Sequence, residues 1–186
     1  MDMSKPILTI VVPYAYSIKW LQIMLCSLRQ TIDYPYQVWV MNNTPQPDRS
    51  IYGVTRTALC DDVTIFNVPS PQDWHGGCVD YALPKIKTPY FMMMETDCQI
   101  MKPDWLSHFV DAMKDDLVAM AGWFWPGGDR DYIGPGATIY NTAIVKRIAQ
   151  EILDNDRTTF CYGDGLRLRH TLETRMRDAK WLWGPF

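Results

Sequence analysis

The sequence lacks any apolar run long enough to cross a bilayer. Its apolar stretches are short and broken by polar residues, well under the roughly 20 residues that a transmembrane helix needs. Met1 to Lys5 leads straight into a strand-like segment, without the layout of a signal peptide. A cytoplasmic setting is therefore the expectation. Long basic runs are missing too. The net charge is -3, with 18 Lys and Arg against 21 Asp and Glu, so no electrostatic footprint for nucleic acid is expected. The cysteines Cys26, Cys60, Cys78, Cys98 and Cys161 are odd in number and show no CxxC spacing. That pattern argues against a disulfide framework or a structural zinc site, and for free buried thiols.

What is abundant is aromatic. Eight tryptophans and ten tyrosines can line a carbohydrate site or fill a core, and composition does not separate the two. A chain of 186 residues that is 47% hydrophobic suits one domain with a two- or three-layer core.

Ile7–Pro13 (ILTIVVP) is a continuous, β-branched apolar run, the pattern of a strand buried on both faces. Further strands are expected at Tyr36–Met41, Asp62–Val68, Tyr90–Met94, Leu117–Phe124 and Ala137–Tyr140. Helical spacing predicts Ser17–Gln30, with Ser17 as its cap, and Lys102–Lys114, with Pro103 in its first turn. Shorter helices are expected at Ser50–Leu59 and Cys78–Lys85, an amphipathic one at Thr142–Leu153, and a basic one at Asp164–Arg177. Prolines and glycines mark Pro69–Gly77 and Trp125–Gly136 as loops. Strands alternate with helices, so the expected fold is α/β, a mostly parallel sheet with helices on both faces. Such sheets bind ligands outside the carboxyl ends of their strands. That rule directs attention to Pro13-Tyr14, Asn42-Asn43 and Glu95-Thr96-Asp97.

Glu95-Thr96-Asp97 follows an apolar strand directly. Two carboxylates one residue apart can turn toward one hard cation, Mg²⁺ or Mn²⁺, shared with substrate phosphates. They can equally be a solvated acidic turn. Asp164, between Gly163 and Gly165, reads as a helix N-cap or as a general base with room for a ligand beside it. Asn42-Asn43 can bond a base or ribose, or shape a turn. Trp74-His75-Gly76-Gly77 fits a sugar or phosphate contact as well as a helix entry. His108 falls within a predicted helix, away from metal-ligand spacing with His75, and His170 could reach a metal, although a lone histidine is usually not a ligand.

Taken in order, these segments resemble the family 2 glycosyltransferases of the GT-A fold, over roughly Ile7 to Arg175. VVPYAY, Val11 to Tyr16, is similar to the family's first strand, which ends in Pro and an aromatic or polar residue. VWVMNNT puts Asn42 where the family has an acid that reads the nucleotide. HGGCVDYALPKIKTPYFMMMETD resembles the segment that leads into a strand and then Asp-x-Asp, with Asp80 where Asn is usual and Ala82 where Gly is usual. Glu95 and Asp97 fall on the two acids of that metal motif. GPGATIYNTAIVKRI resembles the glycine-rich segment beside the acceptor, and YGDGLRLRH places Asp164 on the catalytic base, with Gly163 where a first acid is usual.

The resemblance implies a metal-dependent glycosyltransferase using Mn²⁺ or Mg²⁺ at Asp97 and Glu95. Its donor would be a UDP- or GDP-linked sugar, held by Pro13, Tyr14, Asn42, Asn43, Trp74, His75, Gly76, Gly77, Asp80 and Thr96. Trp123, Trp125, Gly134, Gly136 and His170 would meet the acceptor, a carbohydrate or another hydroxyl compound. Residues 1–100 would form the nucleotide half and 101–186 the acceptor half of a single domain. The Gln-x-x-Arg-Trp signature of processive synthases is absent; Arg177-Asp178-Ala179-Lys180-Trp181 stands there. Two rival readings are a catalytically silent nucleotide- or glycan-binding domain and a nucleotidyltransferase. The latter calls for a basic, glycine-rich loop after the first strand, where this chain has Tyr14-Ala15-Tyr16-Ser17.

Overall fold

Leu8–Tyr14 forms β1, and its side chains are buried on both faces apart from half-buried Pro13. It pairs in parallel with β2 (Tyr36–Asn42) on one side and with β4 (Tyr90–Met94) on the other. The computed structural model describes residues 5–31, 33–44, 49–53, 63–68, 74–114, 118–125, 132–156 and 182–183. The remaining strands are β3 (Val63–Asn67), β5 (Met120–Trp125), β6 (Tyr132–Asn141) and β7 (Leu182–Trp183). The seven form one sheet in the order β3-β2-β1-β4-β6-β5-β7. β2–β3 and β5–β7 are also parallel, whereas β6 runs antiparallel to both β4 and β5. The expected mostly parallel sheet is thus present, with one reversed strand inside it.

A proline in a central strand removes a ladder donor. Here that costs nothing. The Tyr14 carbonyl accepts from the Asn43 N–H (2.9 Å), so backbone alternation turns Pro13 toward β4. On that side the pairing has already ended at Val11 and Met93.

Alternation along the strands sorts the core into two layers. Leu8, Ile10, Val12, Met92 and Met94 pack against Leu21, Met24, Leu25 and Leu28 of α1 (Ile18–Leu28) and against Trp105, Leu106 and Phe109 of α3 (Trp105–Ala112). Val11, Trp39, Met41, Phe91 and Met93 pack on the other face. There they meet Cys78, Val79 and Ala82 of α2 (Trp74–Ala82) and Val145, Ile148 and Ala149 of α4 (Thr142–Asp156). Helices cover both faces, as strand runs without polar alternation require.

Several boundaries differ from expectation. α3 begins only at Trp105, so Lys102 and Pro103 precede the helix and Pro103 is not in its first turn. Trp74–Gly77, expected as loop, form the first turn of α2. A glycine costs about 1 kcal/mol only in a helix interior; Gly76 and Gly77 stand in the first turn, and the burial of Cys78, Val79 and Ala82 just after them favours the helix. Trp125, expected to open a loop, ends β5, and Tyr132–Gly136 belong to β6. Gly122 pairs with Thr138 but Phe124 with Ile133, so β6 carries extra residues opposite Trp123. Gly134-Pro135-Gly136 occupies that bulge, where a missing N–H is tolerated. β7 was not foreseen. Only Ser50–Gly53 of the expected Ser50–Leu59 helix are among the described residues; Ile51–Gly53 are helical and Ser50 lies in the turn before them. The expected helix Asp164–Arg177 lies outside them. No helix among the described residues is long and apolar enough to cross a membrane.

Side chains tie the α1 stretch to the stretch that follows β4. Ser17 Oγ lies 3.0 Å from Thr96 Oγ1. Ser27 Oγ accepts the Ile100 N–H (3.0 Å), and Trp105 Nε1 donates to Thr31 Oγ1 (2.6 Å). Asp33 Oδ2 accepts from both the N–H and the hydroxyl of Ser107, the latter at 2.7 Å. Ser107 is the third residue of α3, and Asp104 at that helix's cap position makes no side-chain capping bond. Asp33 therefore caps α3 from a distant loop. Asp33→Ala is expected to lower unfolding free energy by ~1–2 kcal/mol, the usual worth of a cap, and Asp33→Asn by less, because it keeps an acceptor. Urea melts of the two variants check this order.

Candidate donor and metal site

The carboxyl ends of β1, β2, β3 and β4 share one edge of the sheet, because these strands are mutually parallel. β4 delivers Glu95-Thr96-Asp97 there. The Cys98 N–H closes this turn on the Glu95 carbonyl (3.1 Å). Glu95 and Thr96 are half-buried and Asp97 is exposed. The thiol of Cys98 is pushed up to about 11, first by burial and then by the negative charge of Asp97, while its hydrogen bond to the Glu95 backbone works the other way. Two carboxylates thus concentrate negative potential on one turn. A cation there would be favoured.

Among the described residues no group of three or more His, Cys, Asp or Glu is arranged to hold a metal. The donor set that is present, two hard carboxylates, suits Mg²⁺ or Mn²⁺. Such ions commonly take one or two protein carboxylates and complete their shell with water and substrate phosphates.

Asn42 ends β2 and is buried. Its Nδ2 donates to Asn67 Oδ1 (3.0 Å), and its Oδ1 accepts from Thr44 Oγ1 (2.7 Å). The Val68 N–H donates to the Asn42 carbonyl (3.0 Å). The side-chain amide of Asn42 therefore stitches β2 to β3 at the rim. Asn67, exposed at the end of β3, also reaches the Tyr52 hydroxyl (3.5 Å). Neither Asn67 nor Tyr52 was singled out from sequence. The strand-end rule, applied to the third strand as it was to the second, would have found Asn67. Asn43 is buried beside Tyr14, and the Tyr14 side chain is fully buried in the core. The neighbouring exposed aromatic is Tyr16, which is 63% accessible and has φ 57°.

α2 must run against the strands to connect β3 with the parallel strand β4. Its first turn, Trp74-His75-Gly76-Gly77, therefore begins at the carboxyl edge. Asp80 lies one turn further on and is half-buried. From the far side, β5 runs parallel to β4, so its carboxyl end with Trp123 and Trp125 reaches the same edge. Ala137 pairs with Met94, which sets Gly136 and Gly134 level with and beyond Glu95. The backbone so gathers the expected donor-side and acceptor-side positions along one rim. Asp164 and His170 lie outside the described residues.

The buried thiol of Cys78 is pushed up to about 12 by desolvation, consistent with the expected free, buried cysteine. Cys26, by contrast, is exposed.

A family model, glycosyl transferase family 2, matches residues 9–173. No curated protein matches the chain. Among solved structures the chain is similar to a mannosyltransferase from Pyrobaculum calidifontis in complex with GDP-Man and Mn²⁺, with TM-score 0.72 and 14% identity over 97% of this chain and 55% of that one. It is also similar to glucosyl-3-phosphoglycerate synthase from Mycobacterium tuberculosis in complex with phosphoglyceric acid, with TM-score 0.70, 10% identity, and coverage of 97% and 70%. A third is 4-diphosphocytidyl-2C-methyl-D-erythritol synthase from Anaerococcus prevotii, with TM-score 0.65, 11% identity, and coverage of 98% and 88%. The chain spans about half the length of the first solved structures it matches. The family match extends from β1 past α4, across the strands that build the rim, and the chain belongs to glycosyl transferase family 2, with the GT-A fold.

Proposed function

We propose that this chain transfers a sugar from a UDP- or GDP-linked donor to a hydroxyl of a carbohydrate or other acceptor. The observation that carries the reading is the acid turn Glu95-Thr96-Asp97 at the carboxyl edge of β4, within a chain of this family. Glu95 and Asp97 would hold Mn²⁺ or Mg²⁺. Bound there, the ion would neutralise charge on the departing diphosphate. Residues up to about 100 would serve the donor, with the first turn of α2 and the β2–β3 rim around the nucleotide. The later residues would serve the acceptor, with Trp123, Trp125 and the β6 bulge lining it.

Asp164 would accept the proton of the acceptor hydroxyl as that oxygen attacks the anomeric carbon. One displacement, with inversion, needs no covalent nucleophile, and no residue here suggests one. The structural likeness to the erythritol synthase concerns fold alone. The segment after β1 has none of the basic, glycine-rich character that nucleotidyl transfer would ask for.

The reading is tested with a panel of UDP- and GDP-sugars in thermal melts, with and without Mn²⁺, followed by product analysis. The cognate donor at a hundredfold excess over its Kd is expected to raise Tm by about 5–10 °C, and only with metal. Donor binding without any transfer to a broad acceptor set would instead support a silent binding domain. The internal use of the Asn42 amide, at the position of the family's acid, would then gain weight.

A further inference from the structure

Two local rules are broken side by side just after β1. Tyr16 has φ 57°, a left-handed conformation costly for a residue with a bulky side chain, and it is exposed. Ser17 stands at the cap position of α1, and its carbonyl accepts the Leu21 N–H (2.9 Å), yet its hydroxyl makes no capping bond. A serine there normally bonds its own helix. This one turns away and meets Thr96 Oγ1 at 3.0 Å. Thr96 sits between the two acids. Departures from local preference that cluster at one point mark functional constraint more often than chance.

We propose that Ser17 is a positioning residue for the acid turn, orienting Glu95 and Asp97 for the cation through Thr96. The proposal rests on the metal reading of that turn. A strained Tyr16 aims the Ser17 hydroxyl out of the helix and across to the turn that follows β4. The hydroxyl pair fixes the middle residue of the triplet, so the two carboxylates keep one mutual orientation before the cation arrives. Ser27 anchors the same segment further on, accepting the Ile100 N–H (3.0 Å) while donating to the Met24 carbonyl (2.7 Å). That anchor holds the segment at Ile100, three residues beyond Asp97, and bonds neither acid nor Thr96.

The test is Mn²⁺ affinity, read from the electron paramagnetic resonance of free Mn²⁺ in the presence of UDP or GDP. Ser17→Ala and Thr96→Val are each expected to weaken Mn²⁺ binding about tenfold, the scale for loss of an outer-sphere partner of a metal ligand. The double variant should be no weaker than either single one, because both remove the same bond. Ser17→Thr should restore affinity. Ser17→Ala should melt close to the parent, since no cap is lost, whereas Ser27→Ala should melt lower and keep its Mn²⁺ affinity. Unchanged affinity in Ser17→Ala, with Asp97→Asn abolishing binding, would overturn the proposal alone. So would equal weakening by Ser27→Ala and Ser17→Ala. A parent protein that takes no Mn²⁺ with either nucleotide would overturn the metal reading, and the proposal with it.

Discussion

Asp97→Asn is expected to cut Mn²⁺ affinity and sugar transfer by about a hundredfold or more, the scale seen when a group stabilising transition-state charge is removed. The amide keeps the size and polarity of the side chain but loses the charge that a hard cation needs. Asp97 is exposed, so the substitution leaves no buried group unsatisfied, and the melting temperature without ligand should stay near that of the parent. Glu95→Gln should act in the same direction. Its half-buried carboxylate shares the turn with Asp97, so its effect on the unliganded fold is the larger of the two. Isothermal titration with Mn²⁺ and nucleotide, beside a transfer assay, reads both quantities. Full activity of Asp97→Asn would remove the metal from the proposal.

Asp164→Asn is expected to lower transfer by roughly 10²–10⁴-fold, the usual contribution of a general base, while donor-induced thermal shifts persist. The asparagine cannot take the acceptor's proton, but it leaves the charge on the donor side untouched. The prediction therefore separates the acceptor chemistry from the metal chemistry: Asp97→Asn should lose both binding and turnover, Asp164→Asn turnover only. Loss of donor binding together with transfer in Asp164→Asn would make that aspartate a structural residue, such as the helix cap that its flanking sequence also allows.

The sheet was legible wherever burial alone dictates pattern. Ile7–Pro13 and Tyr90–Met94 are apolar on both faces, and only a covered, parallel strand makes that sequence favourable. β1 and β4 accordingly fall within one residue of the expected ends. The carboxyl-edge rule pointed to Glu95, Asp97 and Asn42, and all three stand at that edge of the sheet. What sequence hid was decided by partners far along the chain. Gly76 and Gly77 look like punctuation until the packing of α2 on the sheet is known. Gly134-Pro135-Gly136 looks like a loop until β5 is seen to pair on either side of it. Ser17 looks like a cap because capping is local, and the bond that replaces it reaches 79 residues away. Asn42 carried two open meanings, and its neighbours Asn67 and Thr44 decide how its amide is used.

The bonds that join the α1 stretch to the stretch after β4 each span 73 to 79 residues of chain. Loops of that length must close before the carboxylates acquire their geometry, and such closure comes late in folding. A nascent chain that ends before Met94 carries no acid pair at all. On the proposed metal reading, a divalent cation would therefore reward the finished fold and give little help to its early steps. The onset of Mn²⁺ binding during refolding should mark completion of the sheet rather than its nucleation.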